Sequence, residues 1–134
     1  PAPVQAQNAN AIQFLNQPGS TTPLSEAVRV GNILFLSSQL GMVPGMPKVV
    51  DGGIAAETQQ ALANTKASLE RYGYGLKDVM KCTVLLADIA DFGAFNQVYL
   101  ATFGQPYPAR TLMAVKGLAF NGRVEIECVA AKAN

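Results

Sequence analysis

The spacing of apolar residues predicts two strands followed by a long helix in the first half of the chain. Residues 26–40 (EAVRVGNILFLSSQL) predict two strands joined at Gly31-Asn32, a dipeptide that suits the positive φ of a tight hairpin. Residues 54–72 repeat apolar side chains at intervals of three and four, the period of a helix with one buried face. Gly73 follows as its predicted C-terminal cap.

A strand, a second helix and two further strands are predicted after Gly73. Residues 79–87 are apolar and β-branched, and residues 88–103 begin with Asp88 as a cap and carry aromatic residues along one side. Residues 109–115 and 124–132 predict the last two strands. The order β-β-α-β-α-β-β predicts a mixed α+β sheet with two helices on one face.

The N-terminal segment differs from this regular pattern. Residues 1–22 are rich in small and polar residues, and only residues 12–15 (IQFL) offer apolar anchors. We therefore predict an N-terminal arm or edge segment over residues 1–22 and a single domain over residues 23–134. Residues 41–53, with several glycines and prolines, predict a loop between the hairpin and the first helix.

Composition narrows the classes of function. A chain of 134 residues with 49% apolar and 14% charged residues fits one globular domain that tends to self-associate. The net charge of +1 comes from scattered side chains, so we predict no nucleic-acid partner. No apolar run approaches the ~20 residues that span a bilayer, so we predict no membrane partner. Histidine is absent, which removes the commonest general base and metal ligand.

The two cysteines and the N-terminus give further expectations. Cys82 and Cys128 lie in apolar strands without Cys-x-x-Cys spacing, so we predict buried free thiols rather than a disulfide, and no metal site. Val4-Gln5-Ala6 resembles the small-residue end of a secretory signal. We expect a cytoplasmic protein, or an exported one if a signal peptide precedes Pro1.

Arg110 and Glu125 are the first candidates for chemistry. Pro108 fixes the direction of the backbone before Arg110, whose planar fork suits a carboxylate. Taken alone, an arginine at this place favours an exposed cation at the strand end or an internal salt bridge over a carboxylate anchor. Glu125 and Glu127 alternate with apolar residues and share one face of the last strand; they fit two solvated glutamates, or a general base if one faces a pocket. Ser37 and Asn96 could add pocket hydrogen bonds.

In order, these segments resemble the Rid family of reactive-intermediate deaminases, also called the YjgF type. The resemblance covers about four-fifths of the chain, over residues 23–41, 62–70, 78–103, 108–111 and 124–130. Its most specific parts are the Pro-Ala-Arg-Thr block that holds Arg110 and the Val-Glu-Ile-Glu ending that holds Glu125.

The resemblance implies a chorismate-mutase-like α+β subunit in a homotrimer, with a central barrel and clefts between subunits. It implies hydrolysis of 2-imino acids or enamines to 2-oxo acids and ammonia, without a cofactor. Arg110 would hold the substrate carboxylate, and Glu125 would position the attacking water. Ser37 and Asn96 would hydrogen-bond the ligand or support the wall of the pocket, and the Leu112 backbone would contact the C2 substituent.

Three positions depart from the pattern of the best-known family members. Leu24 stands where those proteins carry tyrosine, Leu112 where they carry cysteine, and Ser38 where they usually carry glycine. Because Arg110 and Glu125 are both present, the leading hypothesis is a deaminase. Leu24 and Leu112 motivate the alternative, a regulatory trimer that binds small carboxylates without turnover. A ribonuclease or translation inhibitor is a third hypothesis, which the scattered charge disfavours.

Overall fold

A computed structural model describes residues 11–133 as a seven-stranded sheet with two helices. In chain order the elements are β1 (Ile12–Leu15), β2 (Ala27–Val30), β3 (Ile33–Leu36), β4 (Gln39–Leu40), α1 (Gly53–Arg71), β5 (Val79–Leu86), α2 (Phe92–Phe103), β6 (Ala109–Ala114) and β7 (Val124–Ala131). Residues 1–10 of the predicted arm, with the signal-like Val4-Gln5-Ala6, lie outside the described residues. The domain boundary at residue 23 stays a prediction.

The sheet has the strand order β1-β2-β3-β7-β5-β6, and β4 also pairs with β7. All pairings are antiparallel except that of β5 with β6, which the intervening helix α2 makes parallel. The mixed α+β class with two helices is confirmed. Residues 12–15 of the predicted arm or edge segment form β1, which pairs with β2 at the edge of the sheet. The predicted second strand of the hairpin is interrupted at Ser37 and Ser38, so it forms β3 and the two-residue strand β4.

Periodicity located the longer elements well. The hairpin turns at Gly31, whose φ of 59° belongs to the left-handed region that favours glycine. Helix α1 begins and ends within one residue of the predicted 54–72, and Gly73 follows it at a φ of 89°. Asp88 caps the turn before α2, since its side chain accepts a hydrogen bond from the Ala90 N–H.

One apolar core lies between the sheet and the helices. Strand β7 alternates buried and more exposed residues, with buried residues at 124, 126, 128 and 130. Leu62 and Leu69 of α1 are buried, as predicted, and α2 buries Phe95 and Tyr99. Both helices therefore cover the same face of the sheet, and within residues 11–133 no helix covers the other face.

The prediction of free thiols was wrong. Cys82 of β5 and Cys128 of β7 are directly opposite each other in the antiparallel register and form a disulfide. Their Cα atoms are 4.1 Å apart, although 46 residues separate them in sequence. The sequence shows that each cysteine lies in a buried strand, but only the strand order shows that those two strands are neighbours.

Residues 11–133 contain neither a helix that could span a membrane nor a cluster of metal-binding side chains. Neither helix combines the length and apolar composition that a membrane span requires. Likewise, no group of three or more His, Cys, Asp or Glu side chains in this part of the chain could hold a metal ion.

Candidate functional site

Arg110 lies on β6, the strand at one edge of the sheet. It is in register with Cys82 of β5, so its side chain points to the face that the helices cover. There Nη1 donates a hydrogen bond of 2.7 Å to Oδ1 of Asn96 on α2. Within residues 11–133, no carboxylate comes within salt-bridge distance of Arg110. The predicted pair Arg110 and Asn96 is therefore brought together, around a half-buried cation that lacks an anionic partner.

Three aromatic rings of α2 surround the Arg110 guanidinium. The guanidinium carbon is 4.8 Å from the ring centre of Tyr99, 5.7 Å from that of Phe92 and 6.0 Å from that of Phe95. The Tyr99 hydroxyl is buried without a hydrogen-bond partner in the described structure. Burial raises the pKa of Tyr99, and the nearby charge of Arg110 lowers it in part.

Glu125 lies on the opposite, helix-free face of the sheet. The hydroxyl of Ser38 donates a hydrogen bond of 2.6 Å to Oε2 of Glu125. Both residues line a small cavity of about 110 Å³, together with Thr83, Leu85 and Glu127. Glu125 and Glu127 therefore share one face, as the alternation predicted. Hydroxyl and carboxylate groups of this kind can hold a water molecule and exchange a proton with it.

The register shows that one chain does not bring Arg110 and Glu125 together. Arg110 shares its row of the sheet with Cys82 and Cys128. Glu125 is three residues before Cys128 on the same strand, and side chains an odd number of residues apart point to opposite faces. The two predicted catalytic groups are thus separated by the sheet itself.

The Ser37 side chain, predicted to contact the ligand, does not contact Glu125 in the described structure. The Ser37 hydroxyl donates a hydrogen bond of 2.6 Å to the Ser25 carbonyl, so it is occupied within the chain. Its neighbour Ser38, which the sequence marked only as a departure from the family pattern, is the serine in contact with Glu125. Ser37 and Ser38 lie between β3 and β4, and adjacent residues of such a segment point to opposite sides, so which serine reaches a site depends on the register of the flanking strands.

Leu112 and Leu24 lie in different environments. Leu112 shares the face of Arg110 and packs against the core. The backbone N–H of Val115 donates a hydrogen bond to the Leu86 carbonyl of β5. Backbone groups of successive strand residues point to alternate sides, so those of Leu112, three residues earlier, point to the open edge of the sheet. Leu24 precedes β2 and exposes 54% of its surface. The sequence pattern did not mark Thr83 as a cavity residue. It placed the α2 aromatic residues on one side of the helix without linking them to Arg110.

A second cluster of polar side chains surrounds Glu26, whose backbone carbonyl accepts a hydrogen bond of 3.0 Å from the Ser37 N–H. Glu26 accepts hydrogen bonds from Ser68 and Tyr72, each 2.6 Å long, and pairs with Arg71. Burial, followed by the hydrogen bond to Glu26 and the charge of Glu26, raises the pKa of Tyr72 to about 12. These groups satisfy one another, so the cluster ties β2 to the end of α1.

Comparison with known proteins shows the family to which the chain belongs. A sequence profile described as Endoribonuclease L-PSP matches residues 14–132. The chain belongs to this family. The resemblance to the Rid proteins is confirmed, since RidA of an Antarctic Psychrobacter species superimposes with a TM-score of 0.82 at 36% identity, over 90% of this chain and 99% of that one.

Other relatives carry the name of an activity or of a related family. A human protein named 2-iminobutanoate/2-iminopropanoate deaminase is 42% identical over 119 residues, which cover 89% of this chain and 87% of that protein. The goat protein of the same name is 44% identical over 119 residues, with the same coverage. A RutC family protein of Pyrococcus horikoshii is 42% identical over 117 residues, which cover 87% and 93% of the two chains.

Proposed function

We propose that this protein hydrolyses 2-imino acids, or their enamine tautomers, to 2-oxo acids and ammonia. The observation that carries the proposal is Arg110, a half-buried cation held by Asn96 with no carboxylate partner in the described chain. A guanidinium in this state suits a two-oxygen anion such as a substrate carboxylate. The deaminase names of the human and goat relatives support the same reaction class.

In the proposed reaction, water adds to the carbon of the C=N bond while Arg110 holds the adjacent carboxylate. Glu125 accepts a proton from the water and delivers it to the imine nitrogen, which gives a carbinolamine. The proton of its new hydroxyl then moves to the amine through Glu125, the C–N bond breaks, and ammonia leaves a C=O group behind. One water is consumed and no electrons are exchanged. The Ser38 bond to Oε2 leaves the second carboxylate oxygen of Glu125 for this water. General acid–base help of this kind contributes roughly 10²–10⁴-fold in rate.

We further propose a homotrimer in which the helix-free sheet faces form a central barrel. The row Phe14, Val28, Phe35 and Val129 crosses four strands of that face in register. Phe14 exposes 74% of its surface and Phe35 exposes 45%. Apolar surface of this kind favours a protein partner, and symmetric homo-oligomers are the commonest solution.

Trimer formation would also resolve the separation of the two catalytic groups. A cleft between subunits can combine Arg110 of one chain with Glu125 of its neighbour, although the sheet keeps them apart within one chain. The substrate would then lie along the open edge of β6, where the Leu112 backbone groups can reach its C2 substituent. Ser37 and Asn96 keep their proposed supporting roles in the wall of the cleft.

A non-catalytic trimer that binds small carboxylates is the second candidate. The observation that favours it is the apolar character of Leu24 and Leu112, because neither side chain can hydrogen-bond a substrate. This candidate predicts the same Arg110 clamp without hydrolysis. The ribonuclease in the family's name finds less support, because the net charge is only +1 and no basic cluster is present in the sequence.

The deciding experiment measures hydrolysis of 2-iminopropanoate generated in situ by an amino-acid oxidase. We expect wild-type protein to accelerate formation of the 2-oxo acid, and Arg110→Gln and Glu125→Gln each to abolish the acceleration. Arg29→Gln is the matched control, since Arg29 is also half-buried, bonds to the Tyr72 carbonyl and lies 5.8 Å from a tyrosine ring. Unchanged activity of Arg110→Gln would rule out the proposed deaminase. Binding of a 2-oxo acid without hydrolysis by wild type would favour the regulatory trimer.

A further inference from the structure

We infer that Phe92, Phe95 and Tyr99, the aromatic face of α2, position Arg110 for carboxylate binding and thereby help to set substrate affinity. The inference rests on the proposed function, because it concerns the same anchor. These rings are positioning residues, since they contact the guanidinium and need not contact the substrate.

The spacing of Phe92, Phe95 and Tyr99 along α2 places their rings on one side of the helix. Positions 92, 95 and 99 differ by three and four, so the rings lie on one side of the helix. That side also carries Asn96, which binds Arg110 directly. All three ring centres are within the ~6 Å over which a guanidinium is attracted to the electron-rich face of an aromatic ring. One helical segment therefore presents both the rings and the amide to the same cation.

The amide and the rings restrain different motions of Arg110. Asn96 holds one terminal nitrogen of the fork, and the rings limit where the flat guanidinium can move. The other N–H donors of Arg110 have no partner among residues 11–133, so they remain available to an anion. An arginine restrained in advance loses less side-chain entropy when its ligand arrives, which strengthens binding without any added contact to the ligand.

The Tyr99 ring, rather than its hydroxyl, carries this effect. The hydroxyl is buried without a partner in the described structure, so it does not orient Arg110 by hydrogen bonding. Removing the hydroxyl while keeping the ring should therefore preserve the effect, whereas removing the ring should weaken it.

Core packing is the competing explanation for any loss of affinity in the ring variants, since Phe95 and Tyr99 are buried and their replacement could disturb the fold. Phe92 separates the two explanations because 40% of its surface is exposed, so Phe92→Leu disturbs the core little. Phe103 provides the matched control: it lies on the same helix and stacks 4.8 Å from Tyr99, but its ring is not among those near Arg110.

The test is a double-mutant cycle on the binding of pyruvate, measured by ligand-detected NMR together with kcat and KM. Phe92→Leu should raise the Kd roughly two- to ten-fold and KM in parallel, with kcat within about two-fold of wild type. Phe103→Leu should leave the Kd unchanged. Tyr99→Phe should retain the binding that Tyr99→Leu loses. In an Arg110→Gln background, Phe92→Leu should have no further effect.

Two results would overturn the inference. One is a Phe92→Leu effect that persists in the Arg110→Gln background, which would indicate packing alone. The other is an unchanged Kd in both Phe92→Leu and a folded Tyr99→Leu. If Arg110→Gln itself binds pyruvate like wild type, the proposed carboxylate anchor fails. If Arg110→Gln weakens binding while the ring variants do not, only the role of the rings fails.

Discussion

Arg110 and Glu125 point to opposite faces of the same sheet, from strands that both border β5. Within one chain the sheet therefore keeps the proposed carboxylate anchor away from the proposed water-positioning group. A site that uses both groups must take them from two chains. The proposed chemistry therefore requires an assembly of at least two chains.

Subunit mixing tests this condition. We predict that Arg110→Gln and Glu125→Gln are each inactive alone, but that unfolding them together and refolding the mixture restores about one quarter of wild-type activity. Random assembly gives each site a half chance of an intact Arg110 and a half chance of an intact Glu125. The same variants refolded separately serve as the control. No recovery in a mixture that has exchanged subunits would contradict a shared site.

Phe35 should be required for assembly. Light scattering of wild-type protein should give three times the chain mass of 14.1 kDa, and Phe35→Glu should reduce it to one chain mass, because a charge then replaces the centre of the apolar row. Leu100→Glu, on the partly exposed side of α2, should remain trimeric. A monomeric wild-type protein would remove the basis for a cleft between subunits.

Ser38 should matter more for turnover than Ser37. Ser38→Ala removes the hydrogen bond to Glu125, and the loss of such a bond is worth about 1 kcal/mol, so kcat/KM should fall roughly three- to ten-fold. Ser37→Ala breaks only a bond to the Ser25 carbonyl, so we expect a smaller loss of activity. Steady-state kinetics of both variants decide the matter. A larger loss of kcat/KM in Ser37→Ala than in Ser38→Ala would show that Ser37, and not Ser38, acts in the site.

The disulfide should contribute measurably to stability. Thiol labelling of the unfolded, unreduced protein should find no free cysteine, and labelling after reduction should find two. Replacing Cys82 and Cys128 together by alanine should lower the free energy of unfolding by about 2–4 kcal/mol, since the bond closes a long loop. A reductant should destabilise wild type but not the double variant. Two reactive thiols without reductant would show that the bond is absent.

Tyr72 should make stability fall at high pH. Its pKa of about 12 lies above the model-compound value of 10.0, so folding favours the protonated phenol. The stabilisation is complete below pH 10 and is lost as the pH rises toward 12. Tyr72→Phe should be less stable than wild type at pH 8 by about 1 kcal/mol, because it loses the bond to Glu26. Urea unfolding should show this difference shrinking from pH 10 to pH 12; a constant difference would contradict the shift.

Much of the fold could be predicted from the sequence because its signals are local. The helix over residues 54–72 and the longer strands each repeat an apolar pattern over enough residues to reveal a period. Gly31 and Gly73 mark the turn and the helix end, because both positions need a positive φ. Strand β4 has only two residues and is defined by its pairing with β7, so its own sequence carries no such signal.

By itself, then, the sequence determined both helices and the longer strands, the candidate residues Arg110, Asn96 and Glu125, and the family. The tertiary structure alone decided that Cys82 meets Cys128, that Ser38 rather than Ser37 reaches Glu125, and that Arg110 and Glu125 lie on opposite faces. The physical reason is that spacing along a chain fixes the period of an element. Strand order and register, which depend on packing between distant segments, fix which side chains meet.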